Sequence, residues 1–164
     1  MFVFGHAGLT VAATHAVDRD VDSRWAAVLA LGPDLLDKPV SRLFPALVHH
    51  NTRGFGHTFL FSLIVLAALL LAKRRLKPAL LLWGCYAGHF LCDSMWRGDN
   101  PAILFWPLLG DFPPPVRGPI ISWLTLGNVL GEAAGATILY RLARRHGLFE
   151  RPRLAAFLKS GRLA

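Results

Sequence analysis

The chain reads as an all-α, multi-span helical membrane protein of about four to five helices, one end of which is polar. Three observations lead there. Five apolar stretches recur along 164 residues, 54% of them hydrophobic, and the mean hydropathy is +0.42. No stretch keeps the period-2 alternation that a half-buried strand would show. The basic residues are bunched: eleven of eighteen fall in two short blocks, each directly after an apolar run.

The first apolar stretch is 2–17, closed by the polar turn DRDVDSR (18–24). It lacks a basic leading region, so no cleavable signal peptide is expected. The second, 25–32, is short and stops at Gly32-Pro33. The third, 58–72, has fifteen residues without a charge. The fourth, 78–92, is uncharged apart from His89, and the fifth runs over 120–142. Two polar connections separate them. Residues 33–57 are rich in ligand-type side chains, and 94–119 contain Pro113, Pro114 and Pro115, which exclude regular helix there. A span needs about 20 apolar residues; the third and fourth stretches approach that only by recruiting His57, His89 and Asp93, and the second falls well short. Cys85 and Cys92 would lie roughly 10 Å apart on one helix, too far for a disulfide, and read as core residues.

The charge pattern sets an orientation. KRRLK (73–77) carries four positive charges, and 141–164 carries seven against one acid, Glu150. Basic blocks could form a nucleic-acid patch, but their apolar flanks favour the positive-inside pattern of a membrane protein, and no nucleic-acid partner is expected. The expectation is a single helical membrane domain over 1–145 and a basic cytoplasmic tail over 146–164. With KRRLK inside, His6, Asp34, Asp37, His57, His89 and Asp93 fall toward the non-cytoplasmic face of a bacterial or archaeal inner (cytoplasmic) membrane, with membrane lipids as partners.

Chemistry concentrates at that end. His89 and Asp93 stand four apart, so on a helix they face one space. A carboxylate among leucines must be paired, protonated or metal-bound, because burying it bare costs several kcal/mol or more. Asp34 and Asp37 follow Pro33 and read either as a helix cap with a solvated loop or as ligands. His57 opens the third helix, where capping and ligation are both open. His6 follows Gly5. His49 and His50 lie in the 33–57 connection, whereas His15 and His146 fall at the opposite end and are set aside. Asn128 and Glu132 form another i, i+4 pair. Glu132 reads either as a functional intramembrane acid or as a hydrogen-bond partner of a neighbouring helix, with Gly131 and Gly135 allowing close approach. Taken together, His6, Asp34, Asp37, His57, His89 and Asp93 suit a polar metal-binding end holding a divalent metal, Zn first, with Mn or Fe as alternatives. Asn128, Glu132 and His50 are candidates for a second metal or polar site.

These residues resemble the membrane-bound metal-dependent hydrolase family. The resemblance rests on Gly5-His6, Pro33-Asp34 with Asp37, Arg53-Gly54 with His57-Thr58, His89 with Asp93, and Trp106-Pro107, in that order along the chain. The family often has a histidine directly before Arg-Gly; here Thr52 stands there, with His49 and His50 displaced upstream. The family is distantly similar to the zinc-dependent phospholipase C and single-strand nuclease superfamily, of which Asn128 and Glu132 would carry a degraded second element. The resemblance implies hydrolysis of a small or lipid-like phosphoester by a metal-activated water, with Arg53 and Asp37 as catalytic candidates. Arg53 could grip a phosphate oxygen or anchor at a lipid headgroup. The rival from another class is a metal-ion or proton transporter using the same His/Asp cluster, with further ligands at a second depth.

Overall fold

The computed structural model describes residues 3–114 and 125–163, and every regular element among them is helical. Eight α-helices are α1 (Val3–Val17), α2 (Ser23–Ala30), α3 (Gly32–Leu43), α4 (Phe59–Lys73), α5 (Leu76–Cys92), α6 (Asn100–Leu104), α7 (Leu126–Arg145) and α8 (Arg151–Ser160), with single 3-10 turns at Pro45–Val48 and Phe55–His57. The first part of the fifth apolar stretch, including residues 120–124, lies outside the described residues.

Local chemistry explains most boundaries. Asp22 caps α2 by accepting from the backbone N–H of Arg24 and Trp25, and α3 follows after one residue because Pro33 suits a first helical turn. The connection expected over 33–57 is therefore half helix, and Asp34 and Asp37 ride on α3. Thr58 caps α4 through its hydroxyl, 3.0 Å from Phe61 N, and Arg74 ends it in a left-handed conformation (φ 51°). Thr125 caps α7. The basic tail is folded: α8 ends at Gly161, whose carbonyl accepts from Ser23 N at 2.8 Å, and Leu163 is buried beside Val11, Ala26 and Cys85.

α1 packs against α7, α2 and α5, and α4 and α5 form a hairpin. The α1–α7 crossing has no room for side chains. A Cβ on Gly8 would stand 2.3 Å from Gly135 O, and one on Gly135 would stand 2.1 Å from Phe4 O. A second core gathers Tyr86, Phe90, Met95, Ile103 and Phe112, and Phe55 and Trp106 pack against it. Trp106, in the Trp-Pro pair, stacks on Phe112 (5.2 Å, 11°) and meets Phe55 edge-on (5.3 Å, 86°), so it supports the loop that carries His57.

The expected spans are not seen among the described residues. Among the described residues no helix is long and apolar enough to cross a membrane. α4 has 15 residues, about 22 Å at 1.5 Å each, against a hydrocarbon core of about 30 Å. α7 reaches 20 residues but includes Glu132, Arg141, Arg144 and Arg145. Even so, the burial of α4 is inverted: its fully buried position is Ser62, while Phe59, Leu60, Leu63, Ile64 and Leu71 stay exposed.

Candidate metal centre

Three imidazoles meet in the interior where the N-terminal part of α1, the Phe55–His57 turn and the C-terminal end of α5 converge. His6, His57 and His89 are each 0% exposed. His6 stacks on His89, centroids 4.1 Å apart, and His57 meets His89 edge-on at 5.0 Å.

The His89 and His57 rings are each aimed by a contact at the nitrogen remote from the cluster. The Nδ1 of His89 lies 2.7 Å from Ala30 O, the last carbonyl of α2. A carbonyl can only accept, so Nδ1 carries the hydrogen and Nε2 carries a lone pair. The Nδ1 of His57 lies 2.7 Å from Asp37 Oδ2 and donates to it, which turns its Nε2 toward the cluster. These two Nε2 atoms face each other 3.2 Å apart. Burial first, then the neighbouring His6 and His57, lowers the His89 pKa to about 4, so it is neutral at neutral pH.

Carboxylates complete the ring of donors. Asp93, one residue past α5, places Oδ1 3.1 Å from His6 Nε2 and Oδ2 4.0 Å from His57 Nε2 and 3.9 Å from His89 Nε2. Burial opposes ionisation of its carboxyl, but His6 and Arg53 beside it pull its pKa well below the usual carboxylate range. Asp34 Oδ1 lies 3.9 Å from His57 Nε2, and its other oxygen holds Lys38 at 2.7 Å. Two triads can therefore hold a cation, His6-His89-Asp93 and Asp34-His57-His89, with His89 common to both and all ligand atoms of each within 4.8 Å.

Asp37 has a different place from the one expected. Its carboxylate, 1% exposed, accepts from Gly54 N at 2.7 Å, Gly56 N at 2.8 Å and His57 N at 3.1 Å, besides His57 Nδ1. With its lone pairs engaged, it belongs to neither triad and braces the loop behind His57. Gly56 is required there, because a Cβ would meet Pro33 O at 2.9 Å and Asp37 Oδ1 at 3.1 Å. Tyr86 fixes the same loop from α5, donating its hydroxyl to Gly56 O at 2.6 Å. Arg53 reaches Asp93 Oδ2 through Nε (3.2 Å) and Nη2 (2.9 Å) and Asn100 through Nη1 (3.3 Å), with its side chain 36% exposed.

The second-site candidates disperse. Glu132 accepts from Phe4 N (2.7 Å) and Gly5 N (2.9 Å), so it caps the first turn of α1 from α7 and holds the strand of chain leading to His6. His50 is exposed in a left-handed backbone conformation (φ 62°) and joins neither triad, and His49 lies 3.9 Å from Asp111. Asn128 is half-buried in the first turn of α7, its N–H held by Thr125. Cys85 is buried, 3.2 Å from the Thr14 hydroxyl, and no disulfide forms with Cys92. Sequence reasoning did not find Ala30, Tyr86 or Asn100. Only the second glycine of Arg-Gly-Phe-Gly-His signalled the close packing behind His57.

Donor chemistry tests whether a metal suits these residues. Two imidazole nitrogens facing each other at 3.2 Å need a positive centre between them, either a proton donated from one ring to the other or a cation held by both. Nitrogens 2.0–2.1 Å from a tetrahedral zinc stand about 3.3 Å apart, which matches the observed separation. The arrangement, with imidazole N–H groups tied to a carboxylate and a backbone carbonyl, is the one that orients metal-ligating histidines.

Comparison with known proteins bears on this fold and site. The model of the YdjM inner membrane protein family matches residues 1–157. No curated protein and no solved structure matches the chain.

Proposed function

The chain belongs to the YdjM inner membrane protein family, and from that premise we propose that it is a membrane-associated, metal-dependent hydrolase of a small or lipid-like phosphoester. The observation that carries this reading is the pair of Nε2 atoms of His57 and His89 facing at 3.2 Å, each within a group of three ligand-type side chains. His6, Asp34, His57, His89 and Asp93 would hold the cation, with zinc favoured by the imidazole-carboxylate set. Such a cation supplies Lewis acidity and an acidified water at neutral pH.

The remaining work falls to the chain itself. Asp37 and Ala30 fix the tautomer and aim of His57 and His89. Arg53 holds Asp93 and, being partly exposed, is placed to meet a phosphate oxygen with its outward edge. Asn100 steadies the guanidinium from α6. The exposed apolar side chains of α4 form the kind of surface that rests against lipid, in keeping with the family's membrane description. The transport alternative gains nothing, because Glu132 is engaged with the backbone of α1 and His15 faces a separate cleft.

Elemental analysis of the purified protein, paired with a screen of phosphomonoesters and phosphodiesters, tests the proposal. Stoichiometric zinc, manganese or iron is expected in the wild type and not in His89→Ala, with hydrolysis lost on chelation and restored by the metal. A wild type that neither carries metal nor takes it up, or one that hydrolyses none of the esters when loaded, overturns it.

A further inference from the structure

A second polar cavity, of about 780 Å³, lies where the C-terminal ends of α1 and α7 meet the segment after α8. His15 at its wall is nine residues beyond His6 on α1, about 14 Å along the axis, so this cleft is separate from the imidazole cluster. Its charge is one-sided. Arg19, Arg145 and Arg162 line it from three different segments, together with His15 and His146. Among the described lining residues one carboxylate, Asp20, lies 3.8 Å from Arg162, both side chains mostly exposed; nearby Asp18, held by Lys77 at 2.9 Å, also feels the Arg162 charge. Among the described residues no carboxylate pairs with Arg19 or Arg145. His15 and His146 meet edge-on at 5.2 Å.

Helix dipoles account for part of this. A cation at a helix C-terminus is favoured by the helix dipole, which suits Arg145 on α7 and Arg19 just past α1. It does not account for Arg162, which follows α8, or for three guanidiniums lining one cavity in which Asp20 is the one acid among the described lining residues. Like charges brought together this way are stabilised by a bound anion. Three guanidiniums lining one cavity from separate segments can share the several oxygens of a phosphate, which Arg binds through its paired N–H donors. Burial, His146, Arg19 and Arg145 all lower the His15 pKa, as a site with surplus positive field should.

We propose that this cleft binds a phosphate group, carried either by a phospholipid headgroup or by a free phosphate ester. The inference is independent of the metal reading, since none of its residues touches the imidazole cluster. Calorimetric titration of the full chain in detergent tests it with three probes: inorganic phosphate, dihexanoylphosphatidylglycerol and, as a phosphate-free counterpart, dihexanoylglycerol. The variants are Arg19→Gln/Arg145→Gln, with both positions exposed so that the fold should survive, and Arg97→Gln, an exposed cation at the other end of α5. Binding of at least one phosphate probe is expected, weakened tenfold or more in the double variant and unchanged in Arg97→Gln. Should the double variant unfold, Arg162→Gln reads the same site with a smaller loss. Preference for the lipid over inorganic phosphate identifies a headgroup as the source, and the reverse identifies a soluble ester. Equal binding by wild type and double variant, binding of neither phosphate probe, or equal binding of dihexanoylglycerol overturns the proposal.

Discussion

Replacing Asp37 with asparagine separates a positioning role from direct ligation. The carboxylate accepts four hydrogen bonds: Oδ2 from Gly54 N, His57 N and His57 Nδ1, and Oδ1 from Gly56 N. All four partners are donors, and the group is 1% exposed, so no solvent stands ready to replace what is lost. Asparagine keeps one oxygen. Placed at Oδ2 it retains three bonds without their charge, and its NH2 then confronts the Gly56 N–H at about the 2.8 Å now spanned by a hydrogen bond. A bond to a charged acceptor is worth about 1.5–3 kcal/mol and a neutral one about 0.5–1.5. One lost and three weakened bonds therefore cost about 3–5 kcal/mol. His57 Nδ1 still finds an acceptor, a weaker one, so zinc affinity should fall roughly 10–100-fold rather than vanish. Thermal unfolding in detergent reads the first quantity, and zinc competition with a chelating dye reads the second. Two outcomes refute the reasoning: wild-type stability with wild-type zinc affinity, or wild-type stability with zinc binding abolished. The latter would make Asp37 a ligand.

Glu132→Gln should lose about 1–2 kcal/mol of stability from the weakened cap on α1 while keeping full metal stoichiometry; metal loss in a folded Glu132→Gln protein would return Glu132 to the ligand set. Gly8→Ala forces a methyl to within 2.3 Å of Gly135 O, so α1 and α7 must move apart at a cost of about 1–3 kcal/mol, and a melting temperature equal to the wild type's would show that the crossing is looser than its geometry. Asp22 is held below its usual pKa of 3.8, chiefly by the side-chain hydrogen bond from Arg24. Its contribution is therefore present above that value and fades as pH falls through the lower folded-state pKa. Asp22→Ala should cost about 1 kcal/mol near pH 7 and less near pH 3, and a penalty that grows on acidification would contradict the sign.

What was legible in the sequence, and what was not, divides along physical lines. His89 and Asp93 were readable because a polar i, i+4 pair in an apolar run carries a desolvation cost that demands a partner. All-α class was readable from the missing alternation, which is a local property of the sequence. The division of labour between Asp34 and Asp37 was not readable. Both sit on α3, three residues apart, and either could have been a ligand. The choice is made by residues 54–57, whose backbone N–H groups converge on Asp37, and an amide has no sequence signature. Arg53 is the parallel case: a guanidinium beside Gly54 reads as a free anion receptor, yet the fold turns two of its donors onto Asp93. Helix length misled for a related reason. The charge-free run over 58–72 suggested a span, but Thr58 starts the helix and Arg74 stops it after 15 residues, and apolar composition says nothing of where the backbone turns. His57 is a third such case: it stands one residue before the cap of α4, the most apolar helix among the described residues, and its ring is aimed by Asp37 from α3, a pairing that only the folded chain makes.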